Sequence, residues 1–253
     1  MIKNVLWAEQ LKLKRSFLPY VLVLVPLLVL GYELLNLTYR SEYVEKQAIL
    51  FKAKSMWEYL LFDNSILFGL GFPLAITIAA SIIANIEHQS NAWKQTLTFP
   101  ISRARIYIGK FIWLIIGLFF SLTIFLIGLI LLGEMLGFDG EMPIKLLLGD
   151  SYLILVTSLP LISFQLWLSI TFKNQAFSIL IGTVCSMVGL FLAAGTSTRW
   201  FPLAYPVQTS TVILQYRGLG YNQDLSIYLT VNLILGLLLL IIGLVHFSKC
   251  DVK

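Results

Sequence analysis

Long apolar runs alternate with short polar breaks along the whole chain. Six runs stand out, at residues 17–37, 65–84, 111–132, 151–170, 176–194 and 225–247. Each holds about 20 residues, and a helix of that length crosses roughly 30 Å of hydrocarbon. Only helices or closed barrels satisfy their backbone in lipid, and continuous apolar runs lack the alternation of a barrel strand. Five runs contain no Asp, Glu, Lys or Arg; the first contains one, Glu33, near its far end. The pattern predicts an all-α polytopic membrane protein, one unit over residues 1–253 with six spans. The first run is too long for a signal peptide, and GYELLNLTYR after it has no small-x-small cleavage site, so it reads as a retained helix.

The polar breaks carry the candidate chemistry. Before the first run, Ile2, Val5, Leu6 and Leu13 share a helical face, but Glu9 intrudes on it and Trp7 and Leu11 lie elsewhere. The basic end of this stretch, Lys12, Lys14 and Arg15, reads as a membrane-surface anchor. Between the second and third runs lies EHQSNAWKQTLTFPISRARIYIGK, residues 87–110. Glu87–Thr98 predicts a short helix, with Trp93 and Leu97 on one face and Lys94 pointing away. Pro100 ends it, because the residue before a proline is pushed out of the helical region. Ser102 is placed to cap the next helix, and Arg103, Arg105 and Lys110 fall where the chain re-enters the headgroups. Glu87 sits near the membrane end, within reach of Arg103 or another base.

Two further segments are candidates for substrate contact. Residues 38–64 are charged, aromatic and helical in pattern. Residues 196–224 include WFPLAYP, whose Trp200 and Tyr205 suit headgroup depth, followed by an apolar piece too short to span. Glu33 is a third candidate, since an intramembrane carboxylate is functional by default.

Composition agrees with the pattern. The 253 residues are 58% hydrophobic and 12% charged, with a mean hydropathy of +0.85; soluble domains average about a quarter charged residues. The net charge of +5 fits loops beside anionic headgroups and does not argue for nucleic acid. With both termini inside, cytoplasmic loops carry 11 Lys and Arg against 7 outside, which predicts cytoplasmic termini. No G-x4-G-K-[ST] occurs, so the chain does not bind ATP in the P-loop manner. The two histidines, His88 and His246, lie far apart in sequence and form no metal motif, and Cys185 and Cys250 indicate no disulfide. No acid pair at helical spacing lies at membrane depth, which argues against an intramembrane enzyme.

Glu87, Trp93, Lys94, Leu97, Pro100, Ile101, Ser102, Arg103 and Lys110 together resemble the signature loop of ABC-2-type transporter permeases. The opening AEQLKLKRS, residues 8–16, resembles the start of the same family. The resemblance is greatest to permease subunits of lantibiotic-immunity and peptide-resistance transporters. It implies an elbow helix over residues 1–16, a cytoplasmic coupling helix in the 87–98 stretch, and short re-entrant helices in the outer segment. Trp93 and Leu97 would be apolar anchors on a separate ATP-binding subunit, with Lys94 at the rim. The resemblance also implies a second permease copy or related permease, ATP and Mg on the partner and no cofactor on this chain. The cargo would be an amphipathic peptide in a bacterial plasma membrane, or alternatively a lipid or lipid-linked molecule.

Overall fold

The computed structural model describes residues 2–89, 101–195, 197–198, 201, 204 and 206–249. Its helices are α1 (Ile2–Lys14), α2 (Leu18–Tyr39), α3 (Ser41–Leu50), α4 (Met56–Gln89), α5 (Arg103–Met135), α6 (Ile144–Thr157), α7 (Leu159–Thr171), α8 (Gln175–Ala194) and α9 (Leu225–Lys249). A two-stranded hairpin, β1 (Val212–Gln215) and β2 (Gly218–Tyr221), lies between α8 and α9. Among the described residues, α2, α4, α5, α8 and α9 are long and apolar enough to cross a membrane. The α6–α7 pair, bent by 43°, meets the same test if it is a single span. Pro160 near the start of α7 supplies the reason for the break, because its ring cannot continue the preceding helix.

The spans extend further than the apolar runs. α4 has 34 residues and α5 has 33, each about 50 Å long at 1.5 Å per residue. Both therefore reach beyond the hydrocarbon into the polar breaks. Close helix approach relies on small residues, as expected where lipid tails offer no hydrophobic drive. On α5, Gly117 and Gly128 receive Leu22 and Leu30 of α2, and a Cβ at Gly117 would lie 2.7 Å from Leu22 Cδ1. Gly133 of α5 receives the ring of Trp57, which is buried and meets Phe138 edge-on at 5.2 Å. Phe68 of α4 stacks on Phe125 of α5 at 3.9 Å between centroids. Gln165 of α7 donates to the Ser178 carbonyl of α8 at 2.9 Å, a polar link between helices.

The segment after α8, where short re-entrant helices are expected, is described only in part. Its described part holds one 3-10 turn, Val207–Thr209, and the hairpin. Gln215 pairs with Gly218 across a turn of Tyr216 and Arg217. Gly218 has φ +127, and a Cβ there would also lie 2.7 Å from the Phe51 carbonyl oxygen. The apolar piece is thus used as an edge strand, not buried as a helix. The hairpin docks on the α3–α4 turn, where Leu219 N–H donates to Phe51 O at 2.8 Å and Lys54 sits 5.0 Å over the Tyr221 ring. The hairpin of the 196–224 segment therefore packs on the 38–64 segment.

Candidate functional site

Four charged side chains meet where α1, the last turn of α4 and the second turn of α5 converge. Val5, Glu9 and Leu13 recur every four residues along α1, and all three are buried. Glu9 thus belongs to the packed face of α1, and its place in the apolar pattern is explained by what it meets. Lys110 Nζ donates to Glu9 Oε2 at 2.9 Å and lies 2.6 Å from Glu87 Oε2. Lys12 Nζ donates to Glu9 Oε1 at 2.9 Å and to Glu87 Oε1 at 3.0 Å. Each carboxylate bridges both ammonium groups with its two oxygens, so two negative and two positive charges close into a neutral ring. Lys110 also reaches the Ile83 carbonyl at 3.4 Å.

Burial makes this mutual pairing obligatory. Glu87 and Lys110 are 0% exposed and Glu9 is 3% exposed, and an unpaired charge at such depth costs several kcal/mol, on the order of 3–5 when one partner of a buried pair is lost. Burial pushes the Glu9 carboxyl up, but Lys110 and then Lys12 outweigh it and hold the group below its ordinary 4.5. Burial likewise pulls Lys12 down, while Glu9 and Glu87 lift it above its ordinary 10.5. Lys12 is the one partly exposed member, with its side chain 32% exposed. It faces a cleft of about 1080 Å³ lined also by Arg15, Ile82, Gln89 and Gln175.

The ring joins three elements firmly. Trp113 of α5 donates its indole N–H to the Leu6 carbonyl of α1 at 2.8 Å. Gly109 lets α1 lie close, since a Cβ there would be 3.1 Å from Val5 Cγ1. Nearby, His88 Nε2 lies 3.2 Å from Ser169 O, and Trp167 donates to His246 Nδ1 at 3.1 Å. Both histidines therefore brace the same end of α7, although they are far apart in sequence.

Several sequence expectations change here. Lys110 is not a headgroup anchor: it is fully buried, because two carboxylates hold it between helices. Glu87 does not open a separate short helix, since α4 runs unbroken through it to Gln89. Its bases are Lys110 and Lys12. Ser102 occupies the N-cap of α5 without a capping side-chain bond. Arg103 begins α5 and is half-buried, while Lys14 and Arg15 are exposed at the α1–α2 junction. Trp93, Lys94, Leu97 and Pro100 lie outside the described residues, as do Trp200 and Tyr205. Glu87 and Lys110 of the ring nonetheless flank the segment that contains the first four in sequence.

A second polar constellation lies toward the far end of α2. Leu22, Pro26, Leu30, Glu33, Asn36 and Leu37 are buried along this helix. Asn36 Nδ2 donates to Asp63 Oδ2 of α4 at 3.2 Å. Glu33 is 0% exposed, and neither of its carboxylate oxygens has a hydrogen-bond partner. Asp63 lies within electrostatic reach of both Glu33 and Arg40. The spacing rule that found no acid pair on one helix misses this pair, which two helices assemble. Asp150 sits inside α6 and accepts the Thr211 backbone N–H at 2.7 Å, tying α6 to the root of the hairpin.

A family profile described as ABC-2 family transporter protein matches residues 5–189, well over half of the chain. No curated protein matches. The matched stretch takes in Glu9, Lys12, Glu33, Asp63, Glu87 and Lys110, and so both constellations.

Proposed function

The chain belongs to the ABC-2 family of transporter proteins and is a membrane permease subunit of an ABC transporter, and from that premise we propose that it exports an amphipathic peptide of the lantibiotic or antimicrobial type. Family membership implies an ATP-binding partner subunit. In this reading ATP and Mg reside on that partner, and this chain binds no cofactor. The α6–α7 pair counts as one bent span, giving six spans and both termini on the cytoplasmic side of a bacterial plasma membrane. α1 is then the elbow, with Lys14 and Arg15 at the inner surface, and a second permease copy or a related permease completes the pathway.

The observation that supports coupling is the charge ring, two of whose members, Glu87 and Lys110, flank residues 90–100 in sequence. A docking loop transmits movement only if its ends are fixed to rigid elements. Here Glu87 ends one 34-residue helix and Lys110 lies near the start of a 33-residue helix, and both are held to α1 through Glu9 and Lys12. Trp93 and Leu97 serve as apolar anchors on the partner, as buried apolar anchors dominate interfaces. Pro100 and Arg103 set the turn back into α5.

The test is co-purification with the ATP-binding subunit and peptide-stimulated ATPase. Trp93→Ala with Leu97→Ala should leave insertion intact and release the partner, at a cost on the order of 2–4 kcal/mol of docking per anchor. Unchanged co-purification and unchanged stimulation would defeat the assignment. The cargo is tested separately at Trp200 and Tyr205, where rigid aromatic rings at headgroup depth offer amphipathic surface. Replacing both with Ala should reduce protection against the peptide while basal ATPase persists.

A further inference from the structure

We propose that Glu33 and Asp63 form a subsite for a primary ammonium group, entered from the membrane face at the α3 end of the bundle. The inference names the cargo chemistry of the permease described above and rests on that reading. Glu33 lies on the packed face of α2, about 9 Å from the Tyr39 end at 1.5 Å per residue. That depth matches the boundary between acyl chains and headgroups. Its carboxylate is enclosed, and both oxygens lack a hydrogen-bond partner. Buried polar groups are nearly always satisfied, so two open acceptor oxygens at one carboxylate call for a donor from outside the chain.

The surroundings restrict what that donor is. Asn36, one turn from Glu33, donates to Asp63 at 3.2 Å and its side chain also acts on Glu33, although neither Glu33 oxygen has a partner at hydrogen-bond distance. Tyr59, one turn before Asp63 on α4, is buried on the same side. Arg40 is exposed and lies 4.4 Å over the Tyr43 ring, at the mouth of the cluster. Asp63 lies within electrostatic reach of both Glu33 and Arg40, so a further cation would let both acids carry charge at once. Among the described residues no set of three or more His, Cys, Asp or Glu could hold a metal, and two carboxylates fall short of the six to eight oxygens that calcium takes. An alkylammonium is the better match, because it carries one charge and three N–H donors for separate acceptors. Asp63 is half-buried and offers the way in, while Glu33 lies behind it.

A primary ammonium reaches this depth from two sources, the lysine or N-terminal amine of a membrane-lying peptide and the headgroup of phosphatidylethanolamine. Both are tested on the full-length permease in nanodiscs without the ATP-binding subunit, so the result does not depend on coupling. In phosphatidylcholine discs, a fluorescent lysine-bearing amphipathic peptide is compared with its fully acetylated form. The wild type should bind the amine form at least about tenfold tighter, and Glu33→Gln and Asp63→Asn should each abolish that preference, with Glu33→Asp restoring most of it. That outcome assigns the site to peptide amines. If the peptides bind alike but phosphatidylethanolamine co-purifies with the wild type and is lost from Glu33→Gln, the site takes the lipid headgroup. If neither the amine preference nor the lipid enrichment differs between wild type and Glu33→Gln of equal helicity, the proposal is overturned. Failure of Trp93 coupling with the amine preference intact would instead overturn the transport reading alone.

Discussion

Lys110→Met removes the fully buried one of the two ammonium groups that each touch both Glu9 and Glu87, and it keeps most of the side-chain volume. The ring passes from neutral to a net charge of minus one. Two carboxylates, 3% and 0% exposed, are left to share Lys12. Uncompensated buried charge of this kind costs about 3–5 kcal/mol. Glu9→Gln alone leaves the opposite imbalance, with Glu87 facing two ammonium groups. Combining the two substitutions restores neutrality, since the 3.0 Å contact of Lys12 with Glu87 survives. The double variant should therefore cost less than the two singles together, by about 0.5–3 kcal/mol, as directly contacting residues do. Equilibrium unfolding of the four purified proteins in mixed micelles at neutral pH measures this coupling. Trypsin cleavage after Lys14 or Arg15 reports whether α1 is released in the singles. A coupling below about 0.3 kcal/mol, the level of independent sites, would show that these charges do not share one ring.

Four other outcomes follow from the same structure. Glu9 is held below 4.5, so its contribution is complete above that pH and is lost as pH falls through the lowered value; Lys12 is held above 10.5, so its contribution is complete below that pH and is lost as pH rises through the raised value. Fluorescence of Trp113, which is bonded to Leu6 O, should therefore stay level between those limits, and a titration midway between them would contradict the ring. Asp150→Ala should cost about 1.5–3 kcal/mol by removing the charged acceptor of the Thr211 N–H, seen as faster hydrogen exchange across residues 212–221 with α4 and α5 unchanged. Gly133→Val should lower stability by about 1–3 kcal/mol, because its side chain enters the space of the Trp57 ring; a thermal midpoint equal to wild type would refute that packing. Cysteines placed at Asn91 and at Tyr216, the latter fully exposed at the hairpin turn, should react with an impermeant reagent from opposite sides of a sealed cell, and labelling of both from outside would reject the proposed topology.

The helices were legible in the sequence because apolar length is a strong signal where every backbone group must be satisfied within its own segment. The ends were not, because α4 and α5 continue as helices into polar residues once other helices cover them. Trp57, Glu87 and Lys110 all lie beyond the apolar runs yet are buried. Glu9 was visible as an irregularity in an amphipathic face, and the missing information was its partner, 101 residues away at Lys110. Asp63 read as a loop acid for the same reason: its neighbours Asn36 and Glu33 come from another helix. The hairpin escaped detection because its strands are four residues each, and its turn, Tyr216–Arg217, lacks the usual Asn-Gly or Asp-Gly pair.

The two charge constellations differ in a way that separates structure from function. At the α1 end, the carboxylates and ammonium groups are equal in number and every carboxylate oxygen lies within 3.0 Å of an ammonium nitrogen. Such a group is complete, and any ligand would have to break contacts already made. It therefore acts as a joint between α1, α4 and α5. At the far end of α2, the acids outnumber the single arginine and the Glu33 oxygens are unmet. That group gains by accepting a cation, so it favours whichever arrangement of α2 and α4 admits one. α4 runs from the joint to the acidic pair, α2 reaches the pair from the α1–α2 junction, and each carries an interior proline on the way, Pro73 and Pro26. A proline removes one backbone bond and lets a helix bend at that point. Movement imposed between Glu87 and Lys110 thus has a continuous route along α4, which can bend at Pro73, to Asp63 and the buried Glu33 beyond it.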